Sequence, residues 1–136
     1  MQSVTTETTM MIGSDGDIIT ARRQGRTYVL QLGFSSLDAT LVATAISELA
    51  RNIVMYAKEG EIVLSPLEHN GRRGVLIIAR DEGPGITEVQ QAAIDASSAC
   101  EGVTLGLRGM KRFVDELEIV SRAGQGTRVA VKKWKT

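Results

Sequence analysis

Two apolar runs joined by a short polar link constrain this chain more than any other feature. They are EIVLSPLE, residues 61 to 68, and GVLIIAR, residues 74 to 80, connected by HNGRRG. Asn-Gly accepts positive φ at little cost, so Asn70-Gly71 makes a tight hairpin connection and the two runs should pair antiparallel. A hairpin this apolar needs a covering layer, and the preceding sequence supplies one. SSLD at 35 to 38 has the form of a capping box. Behind it Val42, Ala45, Ile46, Leu49, Ile53 and Tyr56 recur at helical spacing to about Ala57. An earlier helix is expected after the apolar run Met10 to Ile12, capped by Asp15 or Asp17, carrying Ile18, Ala21, Tyr28, Val29 and Leu32, and ended by Gly33. Downstream, a third helix is expected from about Gly106 to Glu116, and a second hairpin pairs LEIVSR with TRVAVKKW across AGQG. This order predicts an α+β two-layer sandwich, with helices on one face of a mixed, mostly antiparallel sheet and the other face left to solvent.

The length of 136 residues with 43% hydrophobic content suits a single domain over residues 1–136. Sixteen basic residues balance sixteen acidic ones, so no overall field draws in nucleic acid or an anionic membrane. Cys100, the single cysteine, excludes an internal disulfide and fits a reducing compartment. No signal-peptide pattern and no long apolar run occurs, so a soluble cytoplasmic protein is expected.

Glu48 and Asn52 lie four residues apart on the second helix, on the flank of its apolar stripe. A carboxylate there can deprotonate a hydroxyl, and a side-chain carbonyl beside it can complete the oxygen shell of Mg²⁺. Arg51 either holds the Glu48 carboxylate or is solvated. Asp81 leaves the end of the GVLIIA run within D-x-G-x-G, where Gly83 and Gly85 make room for a flat base and the carboxylate can accept a hydrogen bond from an exocyclic amino group. A second glycine cluster, Gly102, Gly106 and Gly109, opens the third helix beside Arg108, Lys111 and Arg112 and offers free N–H groups to phosphates. The polar, small-residue stretch 87–104 between the clusters reads as a lid. His69 has no co-ligand pattern around it, and Cys100 has no histidine near in sequence to activate it.

The order ELARN (Glu48 to Asn52), DEGPG (Asp81 to Gly85), GVTLGLRGMKR (Gly102 to Arg112) and GQGT (Gly124 to Thr127) resembles the ATP-binding fold shared by DNA gyrase, bacterial histidine kinases, MutL and heat-shock chaperone ATPases, the GHKL superfamily. Within it, SELARNIVMYA, DEGPGI and GLRGMKRFVDELEIVS look most like the RsbT-type serine/threonine kinases of bacterial stress signalling. That resemblance implies ATP and Mg²⁺ as cofactors. Asp81 would bind the adenine amino group, with Gly83 and Gly85 shaping the base pocket and Thr127 supporting it. Asn52 would bind Mg²⁺ and Glu48 would be the base. Gly102, Thr104, Leu105, Gly106 and Leu107 would form the nucleotide-binding run, Gly106 bringing its backbone close to the phosphates. Thr104 replaces the middle glycine of the usual G-x-G-x-G, which bears on how tightly phosphates are gripped.

The resemblance further implies transfer of the ATP γ-phosphoryl to a STAS-domain antagonist protein within a stressosome-like complex. The released kinase would then activate a serine phosphatase. Two alternatives are an anti-sigma factor that sequesters a sigma factor while also acting as a kinase, and a nucleotide-binding scaffold without turnover. Anti-sigma factors of this kind usually carry a histidine shortly after the motif asparagine, where Tyr56 and Ala57 stand here, which favours the switch kinase.

Overall fold

The computed structural model describes residues 6–82, 109–122 and 126–135. Its elements run β1 (Thr8–Ile12), α1 (Asp15–Gln31), α2 (Ser36–Asn52), a π-helical turn (Ile53–Ala57), β2 (Gly60–His69), β3 (Arg72–Asp81), β4 (Glu116–Arg122) and β5 (Gly126–Trp134). The strands form one sheet in the order β1-β2-β3-β5-β4. All four pairings among the described residues are antiparallel, in line with the mostly antiparallel sheet expected.

The expected hairpin is present and tighter than the six-residue link suggested. Strands β2 and β3 pair up to His69 with Arg72, which leaves Asn70 and Gly71 as the whole turn, at φ 52° and 80°. Positive φ at both central residues matches the right-handed twist of the flanking strands. The Ser35 side chain accepts from the Asp38 backbone N–H at 3.1 Å, so α2 starts where the capping pattern placed it. Helix α1 is capped at Ser14 rather than at Asp15 or Asp17. Asp17 instead reaches back to accept from the Gly13 N–H at 2.8 Å, a first-turn carboxylate placed well for the helix dipole. Gly33, at φ 97°, ends the region of α1 as expected.

The expected third helix does not extend to Glu116. Gly109 and Met110 are helical, a turn follows, and β4 takes over at Glu116. Alternation decides this: Leu117 and Ile119 pack on the core while Glu116, Glu118 and Val120 are exposed, and the stretch pairs along β5 from Lys132 to Gly126. Asp115 fixes the entry, donating its N–H to the Lys132 carbonyl at 2.9 Å and accepting from the Trp134 N–H at 2.6 Å. The segment from Gly106 to Arg108, and the 87–104 lid, lie outside the described residues.

The core lies between the helices and the inner sheet face. Val29, Ile46, Leu49 and Ile53 pack over Ile62, Leu64, Val75, Ile77, Val129 and Val131, and Met110 is fully buried among them. Tyr28 ties α1 to the sheet, its hydroxyl donating to the Thr6 carbonyl at 3.0 Å with the Leu64 carbonyl at 3.4 Å. Burial, and then the Glu7 carboxylate, push this hydroxyl above its ordinary range, so it remains a donor at neutral pH.

The two helices come close at Gly25, where a Cβ would stand 2.1 Å from Cδ1 of the fully buried Ile46. Alanine there gains about 1 kcal/mol of helix propensity, but overpacking a filled core costs about 1–3 kcal/mol. Gly25→Ala is therefore expected to lower stability by about 1 kcal/mol. Adding Ile46→Val, which deletes the obstructing methyl, should recover part of that loss. Thermal unfolding of the two variants checks both.

Candidate functional site

Two chain ends that the sequence singled out separately meet at Gly60. A Cβ on Gly60 would stand 2.9 Å from Cγ2 of Ile53, the residue after Asn52, and 3.1 Å from the Cβ of Asp81. It would also collide with the Arg80 carbonyl at 2.4 Å. Only a missing side chain lets the end of α2 and the end of β3 come this close. On the other flank, Gly126 adopts φ 102°, and a Cβ there would meet the Asp81 carbonyl at 2.1 Å. Asp81 therefore sits in register between Gly60 on β2 and Thr127 on β5, with glycine crowding in from both sides. Alternation along β3 and β5 turns Asp81 and Thr127 to the helix side, as Ala79 and Val129 turn.

On α2, the Arg51 guanidinium holds the Glu48 carboxylate at 2.6 Å, which decides between the two readings of Arg51. The Glu48 side chain keeps 26% of its accessibility, so a pinned carboxylate still faces outward. Asn52 is different: its Nδ2 is buried and has no hydrogen-bond partner among the described residues. A buried carboxamide with an unmatched end is costly unless something arriving at the site satisfies it. The unmatched atom is an amide donor, which an acceptor such as a phosphate oxygen would satisfy, while the carbonyl end of the same group is a hard oxygen that would suit Mg²⁺. Directly after Asn52 the helix loosens into the π turn Ile53–Ala57, a distortion found often at functional sites, and the chain then reverses through Lys58 at φ 74°.

A pocket of about 780 Å³ opens at this end of the sheet, with Asp81, Thr127, Gly60 and Gly126 on its rim. Glu48 and Asn52 are absent from its lining. Five of its twelve lining residues, Met11, Glu61, Arg80, Arg128 and Val120, belong to the sheet face away from the helices. Asp81 and Gly60 thus belong to this concavity, whereas Glu48 and Asn52 lie on α2 outside its lining. Of the other residues singled out, Gly83, Gly85, Gly102, Thr104, Leu105, Gly106 and Leu107 lie outside the described residues, as does Gly124. Gly60 was missed in the sequence. Its one signal is a glycine directly ahead of an apolar run, which many strands share.

A helical layer over one face of an antiparallel sheet, with an Asn-bearing helix end against an Asp-bearing strand end, defines an ATP-binding domain of the gyrase and histidine-kinase type. The family model of Histidine kinase-, DNA gyrase B-, and HSP90-like ATPases matches residues 37–136, and the chain belongs to that family. The serine/threonine-protein kinase RsbT of Bacillus subtilis (strain 168) is 42% identical over 123 residues, covering 90% of this chain and 92% of that protein. The anti-sigma F factor of Clostridium novyi (strain NT) is 31% identical over 112 residues, covering 78% of each. Among solved structures, the SiaB-SiaC complex from Pseudomonas aeruginosa contains a chain that aligns at TM-score 0.58 and 14% identity, covering 95% of this chain and 89% of that one, a likeness of fold. The chain is thus a homologue of the RsbT serine/threonine kinases. No helix among the described residues is long and apolar enough to cross a membrane.

Proposed function

We propose that this protein is a cytoplasmic serine/threonine kinase that transfers the γ-phosphoryl of ATP to a hydroxyl on a small STAS-domain antagonist protein. Phosphorylation releases the kinase, which then acts on a serine phosphatase downstream of a stressosome-like complex. The observation that supports the chemistry is the junction at Gly60, where Ile53, the residue after Asn52, and Asp81 both approach the same glycine. Kinship to RsbT supplies the class of partner.

In this reading Asp81 accepts a hydrogen bond from the adenine amino group, with Thr127 beside it across the β3 and β5 pairing. Asn52 would hold Mg²⁺, which when bound neutralises charge on the phosphates. The phosphates themselves fall to Gly102, Thr104, Leu105, Gly106 and Leu107 by the family resemblance. Glu48 takes the proton of the attacking serine or threonine hydroxyl, and its ion pair to Arg51 fixes where the carboxylate points. Phosphoryl transfer of this kind needs positioning and charge stabilisation more than covalent participation, which suits a site assembled from two rigid element ends.

Incubation with labelled ATP, Mg²⁺ and the STAS-domain protein of the same operon tests the proposal. Label should appear on a serine or threonine of the partner, and the phosphorylated partner, carrying about −1.5 to −2 extra charge, should bind at least tenfold more weakly. Equal affinity for both forms would leave a kinase without a release switch. The anti-sigma reading rests on the 31% identical anti-sigma F factor and would show as a stable complex with a sigma factor.

A further inference from the structure

The apolar stripe of α2 stops one step before its spacing says it should. Val42, Ala45, Ile46, Leu49 and Ile53 are buried in the core, and on a continuing α-helix Tyr56 would come next on the same stripe. Instead Tyr56 keeps 37% of its accessibility, and of the five residues in the π turn Ile53–Ala57 only Ile53 is buried. A π turn closes its hydrogen bonds from i to i+5, so it winds more slowly than an α-helix and swings each later side chain off the stripe it began on. Lys58, at φ 74°, then reverses the chain. The turn thus exchanges core contact for an outward-facing helix end.

Met55, in the middle of that turn, keeps 61% of its accessibility. A single exposed apolar side chain needs no explanation by itself, but its position here does. Met55 follows Arg51 by four residues and Arg51 follows Glu48 by three, the spacings that set side chains one above another on a helix. One of these two contacts is measured, since the Arg51 guanidinium holds the Glu48 carboxylate at 2.6 Å while half of the Arg51 side chain stays exposed. Glu48, Arg51 and Met55 therefore form an outward ribbon with a carboxylate at one end and an uncovered thioether at the other, about 10 Å apart along the helix axis. On the opposite side of α2, Leu49, Ile53 and the Asn52 amide are buried, so the side open to a protein is the ribbon.

We propose that Met55, with the aliphatic stem of Arg51 next on the same stripe, is the apolar contact that receives the acceptor protein. It selects an acceptor that carries an apolar side chain about 10 Å from its reactive hydroxyl, which is about three residues along an extended segment or seven along a helix. This rests on the reading of Glu48 as the base. The occupant is the acceptor because transfer to a protein hydroxyl requires that protein to lie against Glu48, and whatever lies there from the open side also covers Arg51 and Met55. Methionine suits such a contact, being unbranched, polarizable and able to fill an irregular apolar hollow. Burying a side chain of this size contributes a factor of about ten to a hundred in affinity.

The test measures acceptor binding and phosphoryl transfer separately, with the STAS-domain protein of the same operon as the probe. Calorimetry with a non-hydrolysable ATP analogue present reads binding, and steady-state transfer from ATP reads KM and kcat for the acceptor. Met55→Gln keeps the length of the side chain, removes its apolar character and adds no charge to compete for Arg51. It should weaken acceptor binding and raise the acceptor KM at least tenfold, with kcat at saturating acceptor and ATP affinity each within about twofold. Met55→Leu, which restores an apolar surface, should bind within about threefold of wild type. Unchanged acceptor affinity in Met55→Gln overturns the proposal, as does a Met55→Leu variant as weak as Met55→Gln. A loss of ATP affinity in Met55→Gln also overturns it and assigns Met55 to the nucleotide. A wild-type chain that binds the acceptor and transfers nothing would sink the kinase reading alone, and the binding arm would still decide the role of Met55. A wild-type chain that does not bind the acceptor overturns both.

Discussion

Replacing Asp81 by asparagine is expected to weaken ATP binding by about 10- to 150-fold. A hydrogen bond to a charged acceptor contributes roughly 1.5–3 kcal/mol, and each 1.4 kcal/mol is a factor of ten in affinity. Asparagine keeps the shape, so Gly60 and Gly126 still pack around it, but it sets an amide where a carboxylate stood and risks facing a donor with a donor. Asp81 also interacts within its own chain, so the unfolding temperature of the variant has to be measured alongside. The expected pattern is a large loss of affinity with a small loss of stability. Calorimetric titration with a non-hydrolysable ATP analogue reads the first, and equal affinity in wild type and variant would sink the assignment of Asp81 to the base.

Local rules were legible in this sequence, and tertiary ones were not. Asn70-Gly71 determines its own backbone, so the hairpin could be read from two residues. Ser35 and Asp38 likewise act within one turn of α2. Strand β1 was missed because Thr8–Ile12 has five residues, too few for alternation to distinguish a strand from any short apolar run, and it becomes a strand only by pairing with β2. The stretch after Met110 carried both helical and period-two signals. The register with β5 chose the second, a tertiary override of local preference.

In the site, Glu48, Asn52 and Asp81 were legible as types at spacings. That the chain just after Asn52 comes near Asp81 depends on Gly60, whose contribution is the absence of atoms near Ile53 and Asp81 and has no signature in one dimension.

Glu48 and Asn52 should separate chemistry from binding, although they stand one turn apart on the same helix. Glu48→Ala removes a carboxylate that Arg51 pins and that still faces outward. A general base contributes about 10²–10⁴-fold, so phosphoryl transfer should fall by about 10²-fold or more while ATP affinity moves only a few fold. Asn52→Ala acts on a buried carboxamide with an unpaired end. Its loss should relieve the chain of an unsatisfied group, so stability should hold or rise slightly, while Mg²⁺-dependent ATP binding falls. This opposition is diagnostic: an asparagine kept only for the fold would lose stability on truncation and leave the Mg²⁺ dependence of binding untouched. Titrating ATP with and without Mg²⁺, next to thermal unfolding, distinguishes the two. Single-turnover transfer to the STAS partner then reads Glu48 alone, and a wild-type rate in Glu48→Ala would move the base elsewhere. Because Arg51 would be left without its carboxylate in that variant, Arg51→Ala is the necessary companion. If Arg51 only orients Glu48, its loss should lower the transfer rate by less than the loss of Glu48 does, and the double variant should be no slower than Glu48→Ala.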